Sequence, residues 1–597
     1  MSSVRDELSP APGGSSADPL PSERGLSEEA RRTAPPAGGA ADRGVRAPLS
    51  FAQRRLWFVE QLEELGSAFH LAGCFRLRGA LDGAALARAL DGVVARHDAL
   101  RTTFHETEGV PEQRIAPAAD AVCSLAVHDL GGHADAEGEL RRRVAAEVAA
   151  PFDLRRGPLF RSVLFRLAPD DHLLLFVMHH IIFDAWSMRV LTEDLAALYA
   201  GCLRGEGDPL PPLPVRYTDH LERQRLARSS ERVEAKKEYW REALAGVPAL
   251  LDLPTDHPRP ARQQFAGDVV AVRLDGELTA RLKTLGERHG TTLYRTLLAA
   301  WAVVAGRLSG QEDVVVGVPM ASRVSRDAQR MIGFFVDTVA LRVDLSGDPT
   351  VAALLRRVHR RTREAGRHRD VPFEDVVSVV APVRSLAHHP LYQTGFSWHN
   401  AAQAPLSLPG LRPAALEELP RPEVAMDTSL ALWEDGGEIA GTLEYARSLF
   451  ERATVERWVG YLRRVLEEMA ADESRPVDQL ALLPADERSL VLEEWNRTDA
   501  AYPAGSTIHH LFEQQVERAP DAVAVAFADD HLTYAGLNRR ANRLAHHLRS
   551  LGVGPETRVA VCLERGIELV VALLGVLKAG GAYVPLDPTY PAPRLAF

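Results

Sequence analysis

Cysteine is scarce: Cys74, Cys123, Cys202 and Cys562 are the only four in 597 residues, and no two stand at a paired spacing. This excludes a disulfide framework and a cysteine zinc site, no metal is expected, and the four are read as free thiols in the interior. Long apolar runs are missing too. None approaches the roughly 20 residues that cross a bilayer. The N-terminus, with Arg5, Asp6 and Glu7 ahead of Pro and Gly, lacks the apolar core of a signal peptide. Nor is there a basic excess. A net charge of −11, with 25% charged and 46% hydrophobic residues, fits a cytoplasmic enzyme and speaks against nucleic acid or a membrane as partner. At this length the chain should hold three or four folding units.

What the sequence does have is a run from His172 to Ser187, HLLLFVMHHIIFDAWS. Leu173 to Met178 is a short apolar block between polar residues, which predicts a strand buried on both faces. His179 and His180 stand at its end. Beyond them Trp186, Val190, Leu191, Leu195 and Leu198 recur at helical spacing, so a helix is expected from near Ser187. Because successive strand side chains point to opposite faces, only one of the two imidazoles can face a given cavity. His-His also occurs at 388–389, 509–510 and 546–547, but none of these has an Asp four residues after its second His, as Asp184 stands after His180. An isolated pair is more often a satisfied or solvent-facing pair than a site. The strand context and Asp184 set this one apart.

In chain order, residues 1–47 are rich in Pro, Gly, Ala, Ser and charge and read as a mobile tail, in which Leu26–Thr33 could hide a docking element. Ser50 can cap a helix carrying Leu56, Val59 and Leu62 on one face. A strand around Cys74–Leu77 and a helix over Leu81–Val94 lead to the basic turn Arg96–Phe104, from which Arg96 or Arg101 could reach Asp184. The Pro-rich stretch 209–214 and a charged helical region from Tyr217 to Trp240 mark a break between two lobes. The second lobe should hold a helix at Thr292–Leu308, strands at Asp313–Val318 and Ile332–Val343, a loop-to-strand run at Pro390–Asn400 and a helix at Ala453–Met469. Strands alternating with helices, and no glycine-rich phosphate loop, give an α/β class without a nucleotide site in this region. A linker is expected over 484–506, and a new unit over 507–597 with a helix ending near Leu551 and a strand at Arg558–Leu563.

Ser50–Leu62, Arg96–Phe104, His179–Ser187, Tyr217–Asp219, Ile332–Arg342, Asp370–Glu374 and Pro390–Leu391 follow one another as the motifs of a nonribosomal peptide synthetase condensation domain do, and the last piece resembles the start of an adenylation domain. The resemblance implies two chloramphenicol-acetyltransferase-like lobes in a V-shaped pseudo-dimer, at 48–222 and 223–483, followed by an incomplete α/β N-terminal part of an adenylation domain. It implies amide formation between a donor acyl or peptidyl thioester and an acceptor amine. Both would ride on the phosphopantetheine of peptidyl carrier domains, with no cofactor bound by this chain. The other expected partner is the rest of the adenylation domain and synthetase. Such enzymes make secondary metabolites, antibiotics among them.

By the same resemblance His180 faces the tunnel, His179 and Asp184 support it, Asp184 pairs with Arg96 or Arg101, and Ala185 and Trp186 shape the corner. The chemistry suits an imidazole, which near neutral pH can accept the amine's proton or hold it in line. Two residues depart from the family wording. Ala185 stands in place of Gly, and Asp337 stands in place of Asn, with Arg342 or Arg323 as its expected partner. The wording of Ser50–Trp57 is that of domains taking L-configured donors. A starter domain acylating the first amino acid from a fatty or aryl thioester, and a catalytically silent carrier-docking module, are the competing readings. The adenylation-like piece stops before the loop that would hold ATP phosphates, so a fragment of a longer synthetase is expected.

Overall fold

The computed structural model describes residues 45–62, 66–227, 230–321, 323, 325–383, 385–399, 406–414 and 423–596. The candidate docking stretch Leu26–Thr33 lies outside them. The described residues up to Glu487 form one compact unit, and those from Arg488 a second.

In the first unit Val45–Pro48 is already strand β1, which begins inside the stretch expected as tail. It pairs antiparallel with β4 (Val110–Ile115), which pairs with β3 (Thr102–Thr107). Helix α1 (Phe51–Leu62) begins as the sequence suggests: Ser50 Oγ accepts the Gln53 amide at 3.0 Å, and Gln53 Oε1 accepts the Ser50 amide at 3.0 Å, a reciprocal cap. The main sheet of this half contains β2 (His70–Arg78), β5 (Leu125–Asp129), β6 (Phe160–Ala168) and β7 (Asp171–His179). Helices α2 (Gly83–Arg96), α3 (Ala136–Ala149) and α4 (Ala185–Arg204) pack with these strands.

Strand β7 explains its own sequence. Leu174, Phe176 and Met178 enter one core, with Leu86, Leu90, Leu191 and Leu195 of α2 and α4, while Leu173, Leu175 and Val177 enter another with Leu140, Val144 and Val148 of α3. A strand covered on both faces has no polar side to show, so it reads as an unbroken apolar run.

Helices α5 (Tyr217–Ala227) and α6 (Ser230–Ala243) lead to the second half, whose sheet runs β10-β9-β11-β13-β14-β8. Its strands are β8 (Gly267–Leu274), β9 (Asp313–Ala321), β10 (Val336–Asp344), β11 (Thr394–His399), β13 (Thr428–Asp435) and β14 (Glu438–Ala446). The expected helices are present as Leu293–Ser309, buried from Thr296 to Gly306, and Arg452–Ala471. The remaining strand, β12 (Arg412–Ala414), leaves this half and pairs with β2, making the first sheet β12-β2-β7-β6-β5. Leu406, Leu408 and Leu411 before it sit in the first-half core. Strand β10 begins only at Val336, so Ile332–Phe335 are not strand although their sequence reads as one.

The stretch read as linker contains helical turns over Ala485–Ser489 and Leu490–Glu494. In the second unit Val523–Phe527 pairs antiparallel with Asp530–Thr533, and Arg558–Cys562 pairs parallel with Ala582–Leu586 across the helix Ile567–Ala579. Helix Tyr534–Ser550 ends beside the expected Leu551. All four cysteines are free thiols, and only Cys123 is fully buried. Cys562 is exposed, because it shares the outward face of its strand with Arg558 and Ala560 while Val559 and Val561 turn inward.

Candidate active site

The run His179–Ser187 folds as strand end, turn and helix. His179 continues the parity of Leu173, Leu175 and Val177, faces the α3 side and is 2% exposed. Its Nδ1 accepts the Ile181 amide at 3.1 Å and its Nε2 meets Glu60 Oε1 of α1 at 3.1 Å, so both nitrogens are used. His180 has left the ladder. It opens a three-residue turn, His180–Ile182, anchored by its amide to Phe69 O at 2.8 Å and by Gln53 Nε2 to Ile181 O at 3.1 Å.

The His180 ring is half-buried, and its Nδ1 lies 2.6 Å from the Phe183 carbonyl oxygen. A carbonyl only accepts, so Nδ1 carries the hydrogen and Nε2 keeps its lone pair when the ring is neutral. Burial pushes the His180 pKa below 6.5. The Phe183 bond and the Asp184 carboxylate oppose this, and His179 adds to it. The ring of Phe334 stands edge-on to His180, centroids 4.8 Å apart.

Asp184 caps helix α4, which therefore starts two residues ahead of the expected Ser187. Its Oδ1 accepts the Ser187 amide at 2.8 Å, the Ser187 hydroxyl at 2.7 Å and Arg323 Nη2 at 2.8 Å, while Oδ2 accepts the Phe335 amide at 3.1 Å. The pairing expected with Arg96 or Arg101 is thus replaced by Arg323. Arg96 instead donates to Asp194 at 3.0 Å, and Arg101 bonds Asp98 at 2.8 Å and Val94 O at 3.1 Å. The reason is helix length: Asp194 is ten residues along α4 from Asp184, roughly 15 Å at 1.5 Å per residue, so a side chain ending at Asp194 cannot reach the cap.

Arg323 is the residue that the sequence reading missed here. Both partners are dry, with side chains 3% and 1% exposed. Burial lowers the guanidinium pKa and Asp184 opposes the shift. Arg323 also donates to Ala328 O and Met331 O at 2.5 and 2.6 Å and lies over the Phe335 ring at 3.9 Å. A buried carboxylate demands a buried cation, but the sequence offers no signal for which arginine supplies it. Arg342 is likewise occupied, by Asp313 at 2.6 Å, while the Asp337 carboxylate bears on Arg55.

Ala185 is the first residue of α4, exposed, and outside the left-handed φ region. Trp186 donates Nε1 to Gln329 O at 2.9 Å, joining α4 to the second half. The stretch Ile332–Phe335 lies along this corner, and side chains of the first half hold its backbone. His97 Nδ1 accepts the Ile332 amide at 3.3 Å, Ser187 Oγ accepts the Gly333 amide at 3.1 Å, and Tyr217 donates its hydroxyl to Phe334 O at 2.8 Å. With the Phe335 amide on Asp184, four consecutive residues bond to side chains instead of a ladder, and for that reason they are not strand. Among the described residues no cluster of His, Cys, Asp and Glu could hold a metal ion, and no helix is long and apolar enough to cross a membrane.

The family model for the condensation domain matches residues 45–492, and that for AMP-binding enzymes matches residues 512–597. Malpinin synthetase of Mortierella alpina is 45% identical over 548 residues, covering 92% of this chain and 7% of the relative. Malpibaldin synthetase of the same organism is 44% identical over 549 residues, covering 92% and 10%. The chain thus spans about a tenth or less of these curated relatives. Among solved structures, the X-domain from teicoplanin biosynthesis aligns at TM-score 0.67 and 34% identity, covering 75% of this chain and 100% of that one. The first condensation domain of the calcium-dependent antibiotic synthetase, in complex with a substrate analogue, aligns at 0.61 and 25%, covering 74% and 99%.

Proposed function

Because the chain belongs to the condensation domain family, with a short AMP-binding segment following, we propose that it joins a donor acyl or peptidyl thioester to the amine of an acceptor amino acid, with His180 as the proton acceptor. Donor and acceptor would arrive on the phosphopantetheine arms of carrier domains. The observation that supports this reading is the His180–Phe183 contact at 2.6 Å: a carbonyl only accepts, so the hydrogen belongs on Nδ1 and a lone pair is left on Nε2 for this role. Burial favours the neutral ring, so the lone pair is available at neutral pH.

As the amine nitrogen attacks the thioester carbon, the N–C bond forms and Nε2 takes a proton from nitrogen. The C–S bond then breaks, and the departing sulfur takes that proton from the imidazolium, giving an amide and a free carrier thiol. His179, with both nitrogens bonded, fixes the turn. Asp184 with Arg323 fixes the start of α4, and the second half is tied to both.

The test is intact-mass spectrometry of an acceptor-loaded carrier after mixing with a donor-loaded carrier and this chain. The acceptor should gain the mass of the donor acyl group. His180→Ala should slow the gain by about 10² to 10⁴, the loss typical for a positioned general base. A folded His180→Ala variant that condenses at the parent rate would remove His180 from this role.

A further inference from the structure

We propose that Phe334, a residue of the second half, is a positioning residue for His180: its ring sets the second of two constraints that fix the imidazole with Nε2 presented for the reaction. The proposal rests on the reading of His180 as the proton acceptor and adds to it a residue for which that reading has no task.

An imidazole turns about two side-chain torsions, and the terminal one is broad. The bond from Nδ1 to Phe183 O at 2.6 Å restrains one edge of the ring, yet it still allows rocking about that contact. Phe334 supplies an edge-on contact at 4.8 Å and 61°, the geometry in which the positive edge of one ring meets the negative face of another. With both contacts made, the ring plane has one setting.

Phe334 is unusually well placed for such a task. Its own carbonyl is held by Tyr217 at 2.8 Å, and its neighbours on both sides by Ser187 and Asp184. Gly333 makes this possible, since a Cβ there would stand 2.6 Å from two ring carbons of Tyr217. Side chains of α4 and α5, Ser187 and Tyr217, thus fix the backbone of Phe334. Its side chain then returns to the turn that starts α4, closing a loop of contacts around His180.

Removing the ring also exposes the imidazole, which gives a readout beyond stability. The groups bearing on His180 are the Phe183 carbonyl and the Asp184 carboxylate, which raise its pKa, and His179, which lowers it; burial, also lowering, comes first. Losing part of that burial moves the pKa up toward 6.5.

The experiment compares the full chain with its Phe334→Leu and Phe334→Tyr variants by melting temperature, kcat and KM for condensation across pH, and ¹³C-histidine NMR titration. The His180 signal is assigned by its loss in His180→Ala. Phe334→Leu should lower kcat about ten- to a hundredfold, as a slightly misplaced group does, with KM within about twofold. The acid limb of the kcat profile and the His180 midpoint should both move up toward 6.5. Phe334→Tyr, which keeps the ring, should restore both. Should the leucine variant fail to fold, Phe334→Met carries the same test. A folded leucine or methionine variant with the parent's kcat and the parent's His180 midpoint would overturn the proposal. Failure of the underlying reading looks different: the parent and His180→Ala would then condense alike, while the titration would still report whether the ring shields His180.

Discussion

At the scale of single residues, Ala185 is the sharpest departure from the wording of the family. A glycine would be required there if the corner needed left-handed φ, but Ala185 is the first residue of α4, exposed and outside that region. Ala185→Gly should therefore lower unfolding free energy by roughly 0.4 to 1 kcal/mol, because glycine frees the unfolded chain and gains nothing in the fold. Condensation should stay within about tenfold of the parent. A rate gain of a hundredfold or more in the glycine variant would mean that the methyl obstructs the site. The two histidines and Asp184 were legible in the sequence because strand pattern and spacing are local properties. Arg323 was not, since nothing near it in sequence distinguishes it from Arg96, Arg101 or any other arginine. Its role exists only once the segment between β9 and β10 has been laid against the cap of α4.

At the scale of elements, β7 and the long helices could be read directly, because their apolar periods report how many faces are covered. Ile332–Phe335 could not. Its apolar residues satisfy a strand template, yet its peptide groups are taken by His97, Ser187, Tyr217 and Asp184 before a ladder can use them. Side chains from distant positions compete with the neighbouring strand, and no local pattern records that competition. The close passage at Gly333 offers a test. Gly333→Ala must push Tyr217 or the backbone aside, an overpacking that typically costs about 1 to 3 kcal/mol. The variant should melt several degrees lower and condense more slowly. Unchanged melting and rate would show that this passage has slack and that the four bonds are not held in register by it.

At the scale of the whole molecule, several imidazoles are kept neutral by burial: His97, His172, His220 and His389 all lie below the ordinary 6.5, His389 pushed down to about 3. In the unfolded chain they would protonate near 6.5. The unfolded state therefore binds more protons below that pH, and stability present at pH 7 is lost as pH falls below 6.5, for His389 down toward 3. Each fully shielded histidine adds up to about 1.4 kcal/mol per pH unit across its window. Thermal denaturation should give a lower melting temperature at pH 5 than at pH 7, and His389→Gln should flatten part of that slope. A melting temperature that is level or rising toward pH 5 would contradict this account. The return of β12 to the first sheet has a consequence for the order of events during synthesis. Strands β2 and β7 emerge from the ribosome early, but the edge of their sheet is supplied by residues 412–414, and the cation for Asp184 by residue 323. Until those arrive, Arg76–Arg78 of β2 lack their edge partner and Asp184 has no counter-charge. The nascent first half is therefore exposed to stray strand pairing for as long as translation of the second takes, and its sheet and its corner become complete only when the other half is present.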